Sequence, residues 1–149
     1  MTGERNGRVR VVVTGIGAVT PLGLDVESSW DACRRGRSGI VPISLCEASD
    51  LPTRIAGEVK GFDPVDHLGP KEARRTSRCV ALGLAAAREA VDDSGLDVGS
   101  IADDVGVLVA SGIGGLEWLE NAVVRLNQGG PRRVSPFTIP AMIPDMTAG

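Results

Sequence analysis

VGVLVASGIGG, Val105 to Gly115, is the stretch on which the reading of this chain turns. Val105, Val107, Leu108, Val109 and Ala110 form a short, almost wholly apolar run. That pattern fits a strand covered on both faces, as in a parallel sheet with helices packed on each side. The run stops at Ser111, and Gly112-Ile113-Gly114-Gly115 follows. Glycines so dense let the backbone take positive φ and let other groups approach it closely. In open α/β sheets, ligands sit outside the carboxyl ends of strands, where this loop would lie. Ile113, the one large apolar residue among those glycines, has two readings. It is a pocket wall, or it is a core residue carried by a tight turn.

The remaining composition narrows the class. The chain has 149 residues, 42% hydrophobic and 23% charged, which suits one soluble domain with a core. A net charge of −3 argues against general nucleic-acid binding. No stretch reaches the continuous apolar length of a membrane span. The opening MTGERNGRVR has no apolar signal-peptide core, so a cytoplasmic location is the expectation. Cys33, Cys46 and Cys79 are far apart and lack CxxC spacing, so neither a metal site nor a disulfide framework is expected. Cys33 and Cys79 fall in helix-like stretches, where a small buried hydrophobe is the usual role. His67, the single histidine, has no acid–base partner nearby in sequence and reads as a loop residue.

Arg8 to Thr14, RVRVVVT, reads as a first strand rich in β-branched residues. Gly15-Ile16-Gly17-Ala18-Val19-Thr20 then opens like a dinucleotide fingerprint. It fails at its third glycine, where Thr20 stands, and Pro21 and Gly23 spoil the helix that would hold a pyrophosphate. Asp25 is a plausible N-cap for a helix from Val26 to Arg35, with Trp30 and Cys33 on one face and Gly36 at its end. Ser38 to Asp66 reads as irregular, with a short strand over Ile55 to Val59. Lys71, Arg74, Arg75 and Arg78 form a basic cluster on one helical face or on the turn entering a helix. Such a cluster is either a solvated surface or a dock for an acidic partner.

Val80 to Asp92 is the clearest helix. Val80, Leu84, Ala87 and Val91 recur at helical spacing, and the intervening alanines keep the cylinder slim enough for a central position. Ser94-Gly95 ends it. Asp97 to Asp104 reads as a polar connection, and Leu116 to Leu126 as a further amphipathic helix ended by Gly129-Gly130. Pro131, Pro136, Pro140 and Pro144 then predict an extended, rigid tail with apolar side chains. Two strands make no stable sheet, so the chain reads as the front of a larger domain.

Several segments, taken in order, resemble the N-terminal part of the β-ketoacyl-acyl-carrier-protein synthases, the elongating condensing enzymes. They are VVVTGIGAVTPLG (Val11 to Gly23), the Ala73-Arg74-Arg75 turn, AAAREAVDDSGL (Ala85 to Leu96), SGIGG (Ser111 to Gly115) and GGPRRVSPFTIPAMIPDMTAG (Gly129 to Gly149). The resemblance implies an α/β, thiolase-like layered fold, of which this chain supplies only an incomplete N-terminal half. Residues 1–8 would be a disordered start and residues 9–149 a partial ketosynthase domain.

The same resemblance implies transfer of an acyl chain from a carrier protein to a cysteine, followed by decarboxylative condensation with malonyl-carrier protein. It implies no cofactor and no metal. The partners it implies are an acyl carrier protein, bearing acyl and malonyl groups on phosphopantetheine, and a second copy in a homodimer. It places Lys71, Arg74 and Arg75 in the turn that receives the carrier. It places Ile113, Phe137 and Thr138 along the acyl pocket, where Thr138 stands in for a second phenylalanine common in relatives. Thr76-Ser77 replaces the usual Met-Asp, and Asp145 a common asparagine. The nucleophilic cysteine and two histidines are expected beyond Gly149.

A ketosynthase or a non-catalytic chain-length factor of a polyketide system is the alternative within this resemblance. A nucleotide-binding module is opposed by both glycine motifs, since Glu117 stands where the last fingerprint glycine of the second should be. Because none of its three cysteines sits in the nucleophile's motif, the 149-residue chain by itself is expected to be inactive. Incubation with an acyl thioester and intact-mass spectrometry checks this; a stable acyl-enzyme on this chain would overturn it.

Overall fold

The structure, a computed structural model, describes residues 9–149; the disordered start expected over residues 1–8 lies outside them. Helix α1 spans Val26–Arg34, strands β1 and β2 span Ile40–Pro42 and Ile55–Gly57, and helix α2 spans Pro64–Ala73. Helix α3 spans Arg78–Ser94 and helix α4 Leu116–Gly129. A short α5, Thr138–Met142, lies between two 3-10 turns at Pro131–Arg133 and Pro144–Thr147, and a further 3-10 segment covers Val98–Asp104.

Helix α3 is the central element, as its slim alanine-rich pattern predicts. Ala81 is fully buried, and Ala81 and Ala85 pack with Phe62 against Val19, Val59, Leu68 and Leu82. Its ends are fixed by local chemistry. Ser77, itself wholly buried, accepts the Val80 amide at 3.4 Å, and Gly95 closes the helix in the left-handed region at φ 63°. Asp25 caps α1 as expected, accepting the Ser28 amide at 2.6 Å.

The Gly15–Ala18 loop lies directly on α3. A Cβ at Gly17 would collide with the Ala86 carbonyl, and one at Gly15 with the Ala90 carbonyl. The α3 carboxylates hold the loop by its amides: Ile16 donates to Asp93 at 2.9 Å and Ala18 to Glu89 at 2.8 Å. The other Glu89 oxygen accepts the Val26 amide at 2.7 Å, satisfying an orphan donor in the first turn of α1. The two glycines that resemble a nucleotide fingerprint therefore serve close backbone packing.

The expected strands are the main difference. Val9–Thr14 and Val105–Ala110 carry no strand pairing; Val11 is 87% and Leu108 95% exposed. β-Branched composition supplies propensity, but a strand also needs a neighbour's N–H and C=O groups, and among the described residues these runs find none. The pairing present is an antiparallel β1–β2 ladder, with Val41 opposite Ala56. Sequence reading also missed α2, because Gly69 (φ 74°) and Pro70 break it into two short helical pieces. His67 belongs to that helix and stacks on Phe62 with centroids 4.8 Å apart, so it is a packing residue and not a loop residue. Cys33 is exposed and Cys79 half-buried, so neither is the small core residue expected; Ala32 and Ala81 fill those roles. The proline-rich tail coils into short helical turns, with Pro131 and Pro144 at the first position of 3-10 turns, where a proline's missing N–H costs nothing.

Beyond β1, Glu58 ties the hairpin together. Its carboxylate, whose side chain is only 8% exposed, accepts the Ser44 amide at 3.0 Å and the Leu45 amide at 2.8 Å, with Lys60 at 3.4 Å. The Ser44 amide first, then the Leu45 amide, pull its pKa from 4.5 down to about 2. A depressed carboxylate stabilises the fold above its unfolded pKa and loses that contribution as pH falls through the folded value. Stability measured by urea unfolding should therefore decline between about pH 4.5 and pH 2, and Glu58→Gln should flatten that part of the profile. Separately, Gly17→Ala drives a methyl into the Ala86 carbonyl and should cost about 1–3 kcal/mol; an unchanged urea midpoint would place the loop away from α3.

Candidate functional site

The Ser111–Gly115 loop is anchored at both ends. Ser111 Oγ accepts the Gly114 amide at 3.1 Å and also receives the Cys79 thiol at 3.4 Å. Gly114 sits in the left-handed region at φ 78°, which explains one glycine. Gly115 explains a second. Its amide donates to the Met142 carbonyl at 3.3 Å, and a Cβ there would strike the Ala141 carbonyl and the Ser77 side chain. Gly112 has open space around it, so close approach does not account for it. Glu117, in the first turn of α4, accepts the Arg78 amide at 3.0 Å and joins the start of α3 to the start of α4.

Ile113 lies on the free side of this loop and is 69% exposed. The described residues therefore do not enclose it as either a pocket wall or a core residue. Thr138 is different. It is buried at the start of α5, and its amide donates to the Ser135 carbonyl at 3.1 Å. Phe137 beside it is partly exposed, and the Arg75 guanidinium lies over its ring at 4.6 Å from the centroid.

The basic cluster divides in two. Arg78 is committed to structure: its guanidinium donates to the Val59 carbonyl at 2.6 Å and the Phe62 carbonyl at 3.4 Å, over the Phe62 ring. Lys71, Arg74 and Arg75 are exposed on the second half of α2 and the turn after it. Among the described residues none of these three forms an ion pair.

Arg74 and Thr138 meet in one cleft of about 320 Å³. Arg74 stands on one side, Ser135 and Thr138 on another, and Trp118, Asn121, Ala122 and Arg125 of α4 form the third. The lining holds two guanidinium groups and no carboxylate, so the cleft suits an anionic or strongly polar guest. Ile113 is not in its lining. Sequence reading overlooked Trp118 and Arg125, yet the signal was available: 118, 121, 122 and 125 follow the i, i+3, i+4, i+7 rule for one helical face. Among the described residues there is no cluster of His, Cys, Asp or Glu that could hold a metal ion, and no helix long and apolar enough to cross a membrane. Cys33, Cys46 and Cys79 lie apart from this cleft.

Comparison with known proteins gives the context. The model of the β-ketoacyl synthase N-terminal domain matches residues 8–149. The chain is 46% identical over 142 residues to the 3-oxoacyl-[acyl-carrier-protein] synthase 2 of Staphylococcus aureus (strain MRSA252), covering 95% of this chain and 34% of that protein. A protein of the same name from Coxiella burnetii is 45% identical over 141 residues, covering 94% of this chain and 34% of the relative. This chain thus spans about a third of the length of the curated relatives it matches.

Among solved structures, a β-ketoacyl synthase from Burkholderia phymatum STM815 superposes with a TM-score of 0.75 at 28% identity, covering 92% of this chain and 34% of that one. The ishigamide ketosynthase/chain length factor gives 0.71 at 28% identity, covering 89% and 33%. The helices and small sheet described above are accordingly part of the thiolase-like ketosynthase fold, which is the fold class the sequence resemblance implies. With the family model matched from residue 8 to the last residue of the sequence, the chain belongs to the β-ketoacyl synthase N-terminal domain family.

Proposed function

We propose that this chain is the N-terminal part of a 3-oxoacyl-[acyl-carrier-protein] synthase of fatty-acid synthesis, an acyltransferase. The observation that carries the reading is 46% identity, over 95% of the chain, to a relative of that name. In the proposed reaction a cysteine thiolate attacks an acyl thioester and the pantetheine thiol leaves, giving an acyl-enzyme. Malonyl-carrier protein then loses CO2, and the resulting carbanion forms a C–C bond to the acyl carbon as the cysteine C–S bond breaks. Covalent catalysis divides one difficult transfer into two easier ones, and oxyanion donors stabilise the charge on the thioester oxygens. The cysteine and two histidines that perform this chemistry are assigned to positions beyond Gly149.

In this reading the chain's own residues recruit and shape. Lys71, Arg74 and Arg75 present a positive face to the acidic carrier, and charge complementarity of this kind raises encounter rates and fixes orientation. Thr138 and Phe137 contribute to the acyl pocket, and Ile113 closes it only when covered by groups outside the described residues. Function as a cytoplasmic homodimer belongs to the same reading. That relatives at 45–46% identity are named synthases supports the catalytic branch.

Arg74→Glu in the full-length synthase should raise the apparent KM for acyl-carrier protein about tenfold, the equivalent of roughly 1.4 kcal/mol. Use of acyl-CoA should change little. Steady-state kinetics with both donors checks this, and equal losses on both would remove Arg74 from the docking face.

A further inference from the structure

Arg75 and Phe137 join two parts of the molecule that the proposed function treats separately. Arg75 belongs to the basic turn after α2, and Phe137 to the tail segment assigned to the acyl pocket. The Arg75 guanidinium carbon lies over the Phe137 ring, 4.6 Å from its centroid. The neighbouring Arg78 makes a similar contact with Phe62 at 5.5 Å, but backbone carbonyls occupy its N–H groups. Among the described residues, the Arg75 side chain has no ion pair and no hydrogen bond, so its N–H edge is available.

That combination matters because a guanidinium is planar. Its face stacks on an aromatic ring while its edge donates two in-plane hydrogen bonds to a carboxylate, and the two contacts use different parts of the group. Phe137 in turn leads into Thr138. The Phe137 amide donates to Ser135 Oγ at 3.2 Å, the Phe137 carbonyl accepts the Ala141 amide at 2.9 Å, and Thr138 is buried. The placement of the ring is thereby tied to the start of α5.

We propose that Arg75 is a positioning residue for acyl-chain selectivity. Its guanidinium face holds the Phe137 ring, and with it the Phe137–Thr138 wall, from the docking side. A carboxylate of the acidic carrier on its free edge orders the guanidinium further, so docking and pocket shape share one side chain. The inference rests on the synthase reading above and adds a dependence that docking charge alone does not produce: selectivity should respond to Arg75 even with a donor that carries no protein.

The test uses the full-length synthase with acyl-CoA primers of graded length as the carrier-free donor. Arg75→Lys keeps the charge and loses the planar face. It should change the ratio of kcat/KM between short and long primers by about two- to five-fold, the range of an exposed cation–π contact, and, because the in-plane fork is lost as well, it should also raise the KM for acyl-carrier protein. Phe137→Leu should give the same shift, Phe137→Tyr should preserve the wild-type ratio, and Arg75→Lys/Phe137→Leu should shift no further than either alone. An unchanged ratio in Arg75→Lys, or shifts that add in the double variant, overturns the proposal. Loss of thermal stability without a change in the ratio also overturns it, because a purely structural contact behaves that way. A wild-type protein without condensing activity overturns the synthase reading itself and this inference with it.

Discussion

Glu89 is the side chain on which the N-terminal third of the described chain depends. One oxygen accepts the Ala18 amide and the other the Val26 amide. A single residue of α3 thus secures the loop before α1 and satisfies a donor in the first turn of α1. The contact is possible only because Gly17 and Gly15 let the loop lie against the Ala86 and Ala90 carbonyls. A side chain at Gly17 would lift the loop and draw the adjacent Ala18 amide off the carboxylate. The Ala18 amide is part-buried, and losing its partner falls within the roughly 1–3 kcal/mol expected of Gly17→Ala.

The opposite end of α3 repeats the device with different atoms. Buried Ser77 caps the helix from within, Glu117 reaches across to the Arg78 amide, and Gly115 lies close enough to touch Ser77 and α5 at once. Helix α3 is therefore a spar gripped at both ends by polar side chains and by glycines. The apolar cluster around Phe62, Ala81 and Ala85 fills the space alongside it. Small side chains on the spar permit this, since bulkier ones would hold the loops several ångströms away.

Features decided within a few residues were legible in the sequence. Asp25 as a cap, Gly95 as a helix stop, the α3 alanine periodicity and the α4 span all follow from local chemistry, and all are present. Features that need a distant partner were not. The valine runs at Val9–Thr14 and Val105–Ala110 have strand composition but no ladder, because hydrogen-bond partners are not a property of the run itself. Helix α2 was hidden by Gly69-Pro70, a pair that normally marks a turn and here marks a kink. Cys33 reads as buried because Cys usually is, yet the α1 face that turns inward is the one carrying Ala32.

The candidate site shows the same division more sharply. Its pieces could be picked out by residue type and order: a basic turn, a glycine loop, a proline-rich tail. Their meeting could not, because Arg74 and Thr138 share a cleft, and Arg75 and Phe137 a stack, only through the path the chain takes between them. The fold also separates what the sequence placed together. Gly115 is clamped while Ile113, two residues earlier, is open to solvent. The loop is tied on both sides of Ile113, at Ser111 to Cys79 and at Gly115 to Met142, so among the described residues only the isoleucine side chain is left uncovered. The basic turn and the tail, by contrast, are in direct contact through Arg75 and Phe137. Of the three residues assigned to the acyl pocket, then, Phe137 and Thr138 are packed by this chain, and the Ile113 side chain is left uncovered among the described residues.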